Sequence, residues 1–426
     1  MTSRHARRIA PALAAVLILA ACGSDDDDST ADAAAPDAAA ATTAAGDTAS
    51  SEPADTPADT AAPTGDGCGA GATKVGFIYV GSKDDFGYNQ AAYEAATAMG
   101  ESSGVEIIHA ENVPETIEDA VPVMEDMIAQ GATVVFATSY GHFDPAVQVA
   151  SDNPDVCVVH QGQFESQLET PLDNFGTYFS SVFEPVYLAG IAAGAATETN
   201  TLGYVYAFPI PQTLENINAF QLGAQSVNPD VKVVAVATAS WCDPSKQAQA
   251  TQTLLDQGAD VLTQHQDCTK TVIETAEAAG AFSVGYHYDA SELAPNGWLT
   301  GSEWAWTDLY ADIVAASQTG EFASSPYNGD FRIGYRDVDA PFLAFTPSAY
   351  GASVDEETQG LITAAFDSFF ADADGDGVGD FSVFTGPMSD RDGTVRIEEG
   401  VTPDYSELDG YFAEPWLVAG VEGSLG

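Results

Sequence analysis

From residue 74 onward the chain alternates between two hydrophobic periods. Short runs of β-branched, aliphatic and aromatic residues, four to seven long, give way to stretches whose apolar positions recur every three or four residues. The short runs predict strands over 75–80, 105–109, 133–137, 157–160, 202–206, 232–238, 260–264 and 281–286. The helical period falls first on Ala91, Ala92, Ala95, Ala96 and Met99. It returns over 117–130, 186–197, 213–226, 245–257, 270–279, 308–318 and 356–370. One further strand is expected over 381–384. Strands with no polar alternation, each followed by a helix, predict parallel sheets covered on both faces.

The first seventy residues do not share this pattern. Arg4, Arg7 and Arg8 precede an apolar run over 9–21, too short to span a bilayer as a helix, as in a secretory signal. The run closes as Leu19-Ala-Ala-Cys22, which resembles a bacterial lipobox and implies cleavage before Cys22 and lipid on its sulfur. The alternative is a plain secretory signal. Residues 23–66 are Ala, Thr, Asp, Pro, Ser and Gly with a single Glu, Glu52, and nothing able to offset the entropy of ordering, so they are expected to be a disordered acidic tether. Roughly 355 residues remain for folding, more than one core usually holds, and two lobes are expected.

Charge narrows the partners. With 64 acidic side chains against 12 basic ones the formal charge is −52, which repels nucleic acid and anionic lipid surfaces. A neutral or cationic small ligand fits better. Cys68, Cys157, Cys242 and Cys268 form an even set in an exported chain and predict two disulfides with three conceivable pairings. Cys242–Cys268 is favoured because each follows a strand of one lobe, which leaves Cys68–Cys157. No pair has zinc-site spacing.

In parallel α/β sheets ligands sit at the carboxyl ends of strands. The first such loop holds Asp85, Phe86, Tyr88 and Asn89; the loop after 133–137 holds Tyr140 and Asp144. In the second half, Phe208, Trp241, Asp267, Tyr286, His287 and Trp304 lie in or beside five edge loops, and aromatics occur in four of the five. Rings facing one another across a gap would hold a flat, uncharged heterocycle by stacking.

At these residues the sequence resembles a known family, the basic membrane protein (Bmp) lipoproteins. These are purine-nucleoside-receptor-like substrate-binding proteins of ABC transporters. The resemblance runs from Lys74 to Val421. It is carried by Asp85-Phe-Gly-Tyr-Asn-Gln-Ala-Ala-Tyr-Glu, Phe175-Gly-Thr-Tyr-Phe, Tyr187-Leu-Ala-Gly-Ile-Ala-Ala-Gly, Asn218-Ala-Phe-Gln-Leu-Gly-Ala, Gln257-Gly-Ala-Asp-Val and Phe384-Thr-Gly-Pro. It implies a type I periplasmic-binding-protein fold: two doubly wound α/β lobes joined by three crossings, near Tyr178, Gly301 and Phe342. The expected division is 1–21 signal, 22–72 tether, 73–178 with 302–342 as the first lobe, and 179–301 with 343–426 as the second.

Carried over by residue, the resemblance implies that Tyr88 flanks the base and Asn89 bonds it, with Asp85 as the loop acid. Phe208 would be the facing ring, and Tyr140 and Asp144 would line the first-lobe wall. Asp267 would accept from an exocyclic amine and Trp241 would add a second ring. There are departures. Nucleoside-binding members grip ribose with an Asp in a Gly-x-Asp-x-Asp segment and a nearby Lys. Here the segment is Gly285-Tyr286-His287-Tyr288-Asp289, and Trp304 or a neighbour stands in place of the Lys. Loss of both groups favours a free base over a nucleoside.

Catalytic signatures are missing from the sequence: it has no Gly-x-Ser-x-Gly elbow, phosphate loop or His-Glu-x-x-His. Asp372, Asp374, Asp376 and Asp380 are spaced like an EF-hand calcium loop, yet Val383 stands where the bidentate Glu would be. No cofactor is expected beyond a candidate structural calcium there. The sequence thus predicts a monomeric, lipid-anchored, extracytoplasmic receptor for a purine or related heterocycle, served by an ABC permease. The alternative is a sensory or adhesive surface lipoprotein using the same clamp.

Overall fold

The computed structural model describes residues 65–163 and 167–425. The signal, most of the tether and Cys22 lie outside them. Within the described residues the chain builds two sheets. The first uses β1 (Lys74–Ile78), β2 (Glu106–Ala110), β3 (Val134–Ala137), β4 (Cys157–Gln161) and β5 (Phe175–Ser180). The helices α1 (Tyr88–Ser103), α2 (Ile117–Ala129) and α3 (Phe143–Asp152) alternate with them. The second half starts with α4 (Phe183–Ala196) and continues β6 (Thr201–Tyr206), α5 (Pro211–Val227), β7 (Lys232–Ala237), α6 (Pro244–Asp256), β8 (Val261–His265), α7 (Lys270–Ala279), β9 (Phe282–His287) and β10 (Trp298–Trp304). Then follow α8 (Thr307–Gln318), β11 (Asp330–Ile333), β12 (Phe345–Pro347), α9 (Glu356–Phe369), β13 (Met388–Ser389), β14 (Val395–Ile397), α10 (Tyr405–Tyr411) and β15 (Val421–Gly423).

The first sheet has the order β11-β5-β4-β3-β1-β2 and is parallel throughout. The second has the order β12-β10-β9-β8-β6-β7-β15, and β12 is its antiparallel member. Both share one plan: the second strand of each half lies outside the first, and the third lies on the first strand's other side. The order therefore reverses beside β1 in one sheet and beside β6 in the other, which opens a crevice at the carboxyl ends of the strands.

Three crossings join the halves. The chain passes from β5 into α4 after Ser180, returns from β10 to α8 through Ala305 and Trp306, and leaves β11 for β12 between Ile333 and Phe345. At the second crossing Trp304 stacks on Trp306 (4.5 Å, 18°), and Trp306 continues onto Tyr310 of α8. Tyr178 of β5 meets Trp306 edge-on at 5.3 Å, so the largest core cluster is continuous from one lobe to the other. Cys68 is bonded to Cys157 and Cys242 to Cys268.

Helix ends follow local chemistry. Thr116 caps α2 by accepting from the Asp119 amide at 3.2 Å, and Asp243 caps α6 by accepting from the Ser245 and Lys246 amides, with Pro244 at the first turn. One expected element is absent. Residues 381–384 form no strand; Val383 and Phe384 are buried, and Phe384 packs its ring on Phe183 and Phe412. That apolar run serves packing rather than pairing.

Candidate functional site

The crevice holds a small, partly open cavity. The first lobe contributes Tyr88 at the start of α1, Ser139 and Tyr140 after β3, and Gly162 after β4, with Phe179 from β5 at the crossing. The second lobe contributes Gln212 in the first turn of α5, Trp241 after β7, His265 and Asp267 at and after β8, and Tyr286 and His287 at the end of β9. Every contribution lies at a carboxyl strand edge or just beyond it, as the sheet topology requires.

Several devices hold these groups. Glu115 accepts from Ser139 Oγ at 2.6 Å and from the Gly141 amide at 2.8 Å, which fixes the turn carrying Tyr140. The Cys242–Cys268 bond and the Asp267 amide, which donates to the Trp241 carbonyl at 2.9 Å, tie Trp241 to Asp267. Asn216 bonds both the Tyr286 hydroxyl (2.8 Å) and His265 Nδ1 (3.1 Å) from behind. His287 has a left-handed backbone (φ 75), uncommon for a residue with a side chain and frequent at functional sites.

The lobes touch directly across the cleft. The Tyr88 amide donates to the Asp267 carbonyl at 3.1 Å, Gln212 Nε2 to the Gly162 carbonyl at 2.9 Å, and the Thr269 amide to the Asp85 carbonyl at 3.3 Å. The Tyr288 hydroxyl reaches Glu94 at 3.1 Å. Gly87 makes the approach feasible: a Cβ there would lie 1.8 Å from the Asp267 carbonyl oxygen. This is a closed clamp.

Burial sets the electrostatics. The Asp267 carboxyl is pushed well above the usual carboxylate range by burial first, then by the nearby charges of Asp85 and Glu115. Burial pulls His265 down to about 3, and burial together with His265 pulls His287 well below its ordinary value. Both imidazoles are therefore neutral. A water-poor cavity lined by neutral rings, with few polar groups, is suited to holding a flat uncharged molecule.

The twelve ligand candidates from the sequence separate. Tyr88, Tyr140, Trp241, Asp267, Tyr286 and His287 line the cavity. Phe208 stands behind Trp241 in an edge-on contact at 5.0 Å, and Trp304 lies behind His287, donating from Nε1 to its Nδ1 at 2.7 Å. Phe86 packs against Tyr288 at 6.5 Å with the Lys270 ammonium over its ring. Asp85 and Asn89 are buried beside the cavity and spend most of their polar atoms on the loop, while Asn89 also bonds the Asp267 carboxyl across the cleft. Asp85 accepts from the Gly87, Asn89 and Gln90 amides and from Asn89 Nδ2, while Asn89 Oδ1 accepts from the Gly81 amide. Asp144 is not in the lining, because it falls in the first turn of α3 with its side chain exposed.

Ser139, Gly162, Phe179, Gln212 and His265 line the cavity without having been singled out. Ser139 and His265 carried a signal, since each lies in an edge loop already recognised. The acidic loop brings Asp372, Asp374 and Asp376 together, the one such cluster among the described residues. Their oxygens accept from amides of the loop itself, Asp380 accepts from the Ala373 amide, and Val383 is buried.

Two parallel-sheet lobes closed on a cavity define a solute-binding protein of the type I periplasmic class. Residues 72–336 match the family described as Bmp, ABC transporter substrate-binding protein PnrA-like. The chain belongs to that family. It is 33% identical over 356 residues to a purine-binding protein of Brucella abortus, covering 83% of this chain and 93% of that one. It is 30% identical over 297 residues to a putative ABC transporter glucose-binding protein of Haloferax volcanii, covering 70% and 72%. Among solved structures, an ABC transporter solute-binding protein of Aeropyrum pernix K1 matches with a TM-score of 0.59 at 16% identity, covering 79% of this chain and 95% of that chain.

Proposed function

We propose that this protein captures a purine base between its lobes outside the cytoplasmic membrane and presents the closed form to the permease of an ABC importer, held at the membrane by lipid on Cys22. The observation that carries the reading is convergence: Tyr88 and Tyr140 from one lobe and Trp241, Tyr286 and His287 from the other enclose a single small cavity. Ring stacking supplies affinity there, and a few polar groups supply selectivity. The resemblance favours a base over a nucleoside, since it sets His287, and Trp304 or a neighbour, where nucleoside-binding members keep their ribose grip. The purine-binding relative in Brucella abortus supports the ligand class.

Calorimetry and thermal-shift measurements with bases, nucleosides and glucose test the reading; glucose is included because of the Haloferax relative's name. Tight binding of at least one purine base is expected. A response to sugars with none to any base would overturn it. For the anchor, Cys22→Ser is expected to release the protein from the membrane fraction of its host.

A further inference from the structure

His287 is 2% exposed and lines the cavity, and its Nε2 has no partner in the protein. Its Nδ1 lies 2.7 Å from Trp304 Nε1. An indole N–H can only donate, so Nδ1 must accept and carries no proton. A neutral imidazole with a lone pair on Nδ1 bears its hydrogen on Nε2. His287, a residue of the cavity wall, therefore carries a buried N–H donor without a partner in the protein, a costly arrangement unless something accepts from it.

The lock behind it is rigid. The Trp304 indole lies side by side with His287, their planes 22° apart, and stacks at 18° on Trp306, with Phe179 and Phe345 in edge-on contact. The ring cannot turn away without breaking that stack. His287 cannot exchange tautomers without leaving the indole N–H facing another N–H. Burial and the neighbouring His265 keep it from becoming a cation.

We propose that His287 is the specificity-determining donor of the cleft and Trp304 its positioning residue, so that the bound heterocycle must present an acceptor, a pyridine-type ring nitrogen or a carbonyl oxygen, to His287 Nε2. This rests on the reading of the cleft as a receptor for a planar base. A ligand with N–H or C–H at that place leaves one buried polar group unpaired, and sites built around a hydrogen bond reject such analogues strongly.

The test is a cycle between protein and ligand. The tightest-binding purine base and its 1-, 3- and 7-deaza analogues are titrated by calorimetry into the wild type, His287→Phe and His287→Gln. One deaza analogue is expected to lose about tenfold or more on the wild type. His287→Phe should lose a similar factor for the parent base and show no further loss for that analogue, while His287→Gln, which keeps an N–H donor, should recover most of the affinity. Equal binding of the parent base by His287→Phe and the wild type, or deaza penalties that the substitution leaves unchanged, would overturn the proposal. Nitrogen-15 spectra of the ligand-free protein decide the lock independently of any ligand. A pyridine-type Nδ1 and a pyrrole-type Nε2 are expected for His287, with that preference lost in Trp304→Phe; a protonated Nδ1 in the wild type would overturn it. Failure of every purine base to bind, with the tautomer as expected, would refute the base reading and leave the donor standing.

Discussion

The loop over 81–89 and the wall over 285–289 face each other across the cleft, and both looked like ligand contacts. They differ in where their polar atoms go. Asp85 accepts four hydrogen bonds from its own loop and from the first turn of α1, and Asn89 bonds back to Asp85 and Gly81. His287, in the cavity wall, has one nitrogen taken by Trp304 and the other buried without a partner. A saturated polar group builds the scaffold; an unsatisfied one in a cavity is available to a guest. On this comparison the first lobe supplies the shape and the ring of Tyr88, and the second supplies the reading head.

The largest effect is expected at the point where the two regions meet. Gly87→Ala would drive a methyl into the Asp267 carbonyl. Each lobe should still fold, yet the closed state becomes rare, and apparent affinity should fall by about 100-fold in proportion to its lost population. Calorimetry, with small-angle scattering to follow opening, checks this; unchanged affinity would show that closure over Gly87 is not needed for binding.

The next effect separates stability from recognition on the second-lobe side. Replacing Cys242 and Cys268 together by Ser removes a 26-residue link and should cost about 3 kcal/mol of unfolding free energy. Because the link also ties Trp241 to Asp267, affinity should drop several-fold even where the protein remains fully folded. A loss of stability with no change in affinity would mean that the wall is positioned without it.

The smallest effect on affinity concerns Asp85, which acts on the stability of the scaffold. Burial, partly offset by its hydrogen bonds, raises its carboxyl to about 6 from the usual 3.8. The folded form thus holds a proton more tightly than the unfolded chain. Its contribution is fully present below pH 4 and is lost as pH rises towards 6, a change of about 3 kcal/mol. Comparing melting temperatures of the wild type and Asp85→Asn over that window should show a flatter profile for the variant. Parallel profiles would place the titration elsewhere.

Much of the frame could be read from the sequence because parallel strands buried on both faces leave uninterrupted apolar runs, as in β3 and β4. What escaped was less regular. β10 reads Trp-Leu-Thr-Gly-Ser-Glu-Trp, and its buried Thr300, Gly301 and Ser302 interrupt the apolar signal; α3 begins directly from a polar turn. In the site, residues at or shortly past a strand's carboxyl end were legible because topology sends them to the edge: Tyr286 and His287 close β9, Asp267 lies two places past β8 and Trp241 four past β7. Asp144 failed because a helix had already begun and turned it outward. Gln212 and Phe179 could not be found, since only the folding of one half over the other brings them to the cavity.

The stack that begins at Trp304 and passes through Trp306 to Tyr310 runs from the cavity wall to the other lobe along the chain's own crossing. Together with Trp241 it places three of the five indoles of the protein at the cavity or on the crossing beside it. A guest entering the slot therefore alters the surroundings of most of the intrinsic fluorophores at once, and the protein reports its own occupancy in its emission without any attached dye.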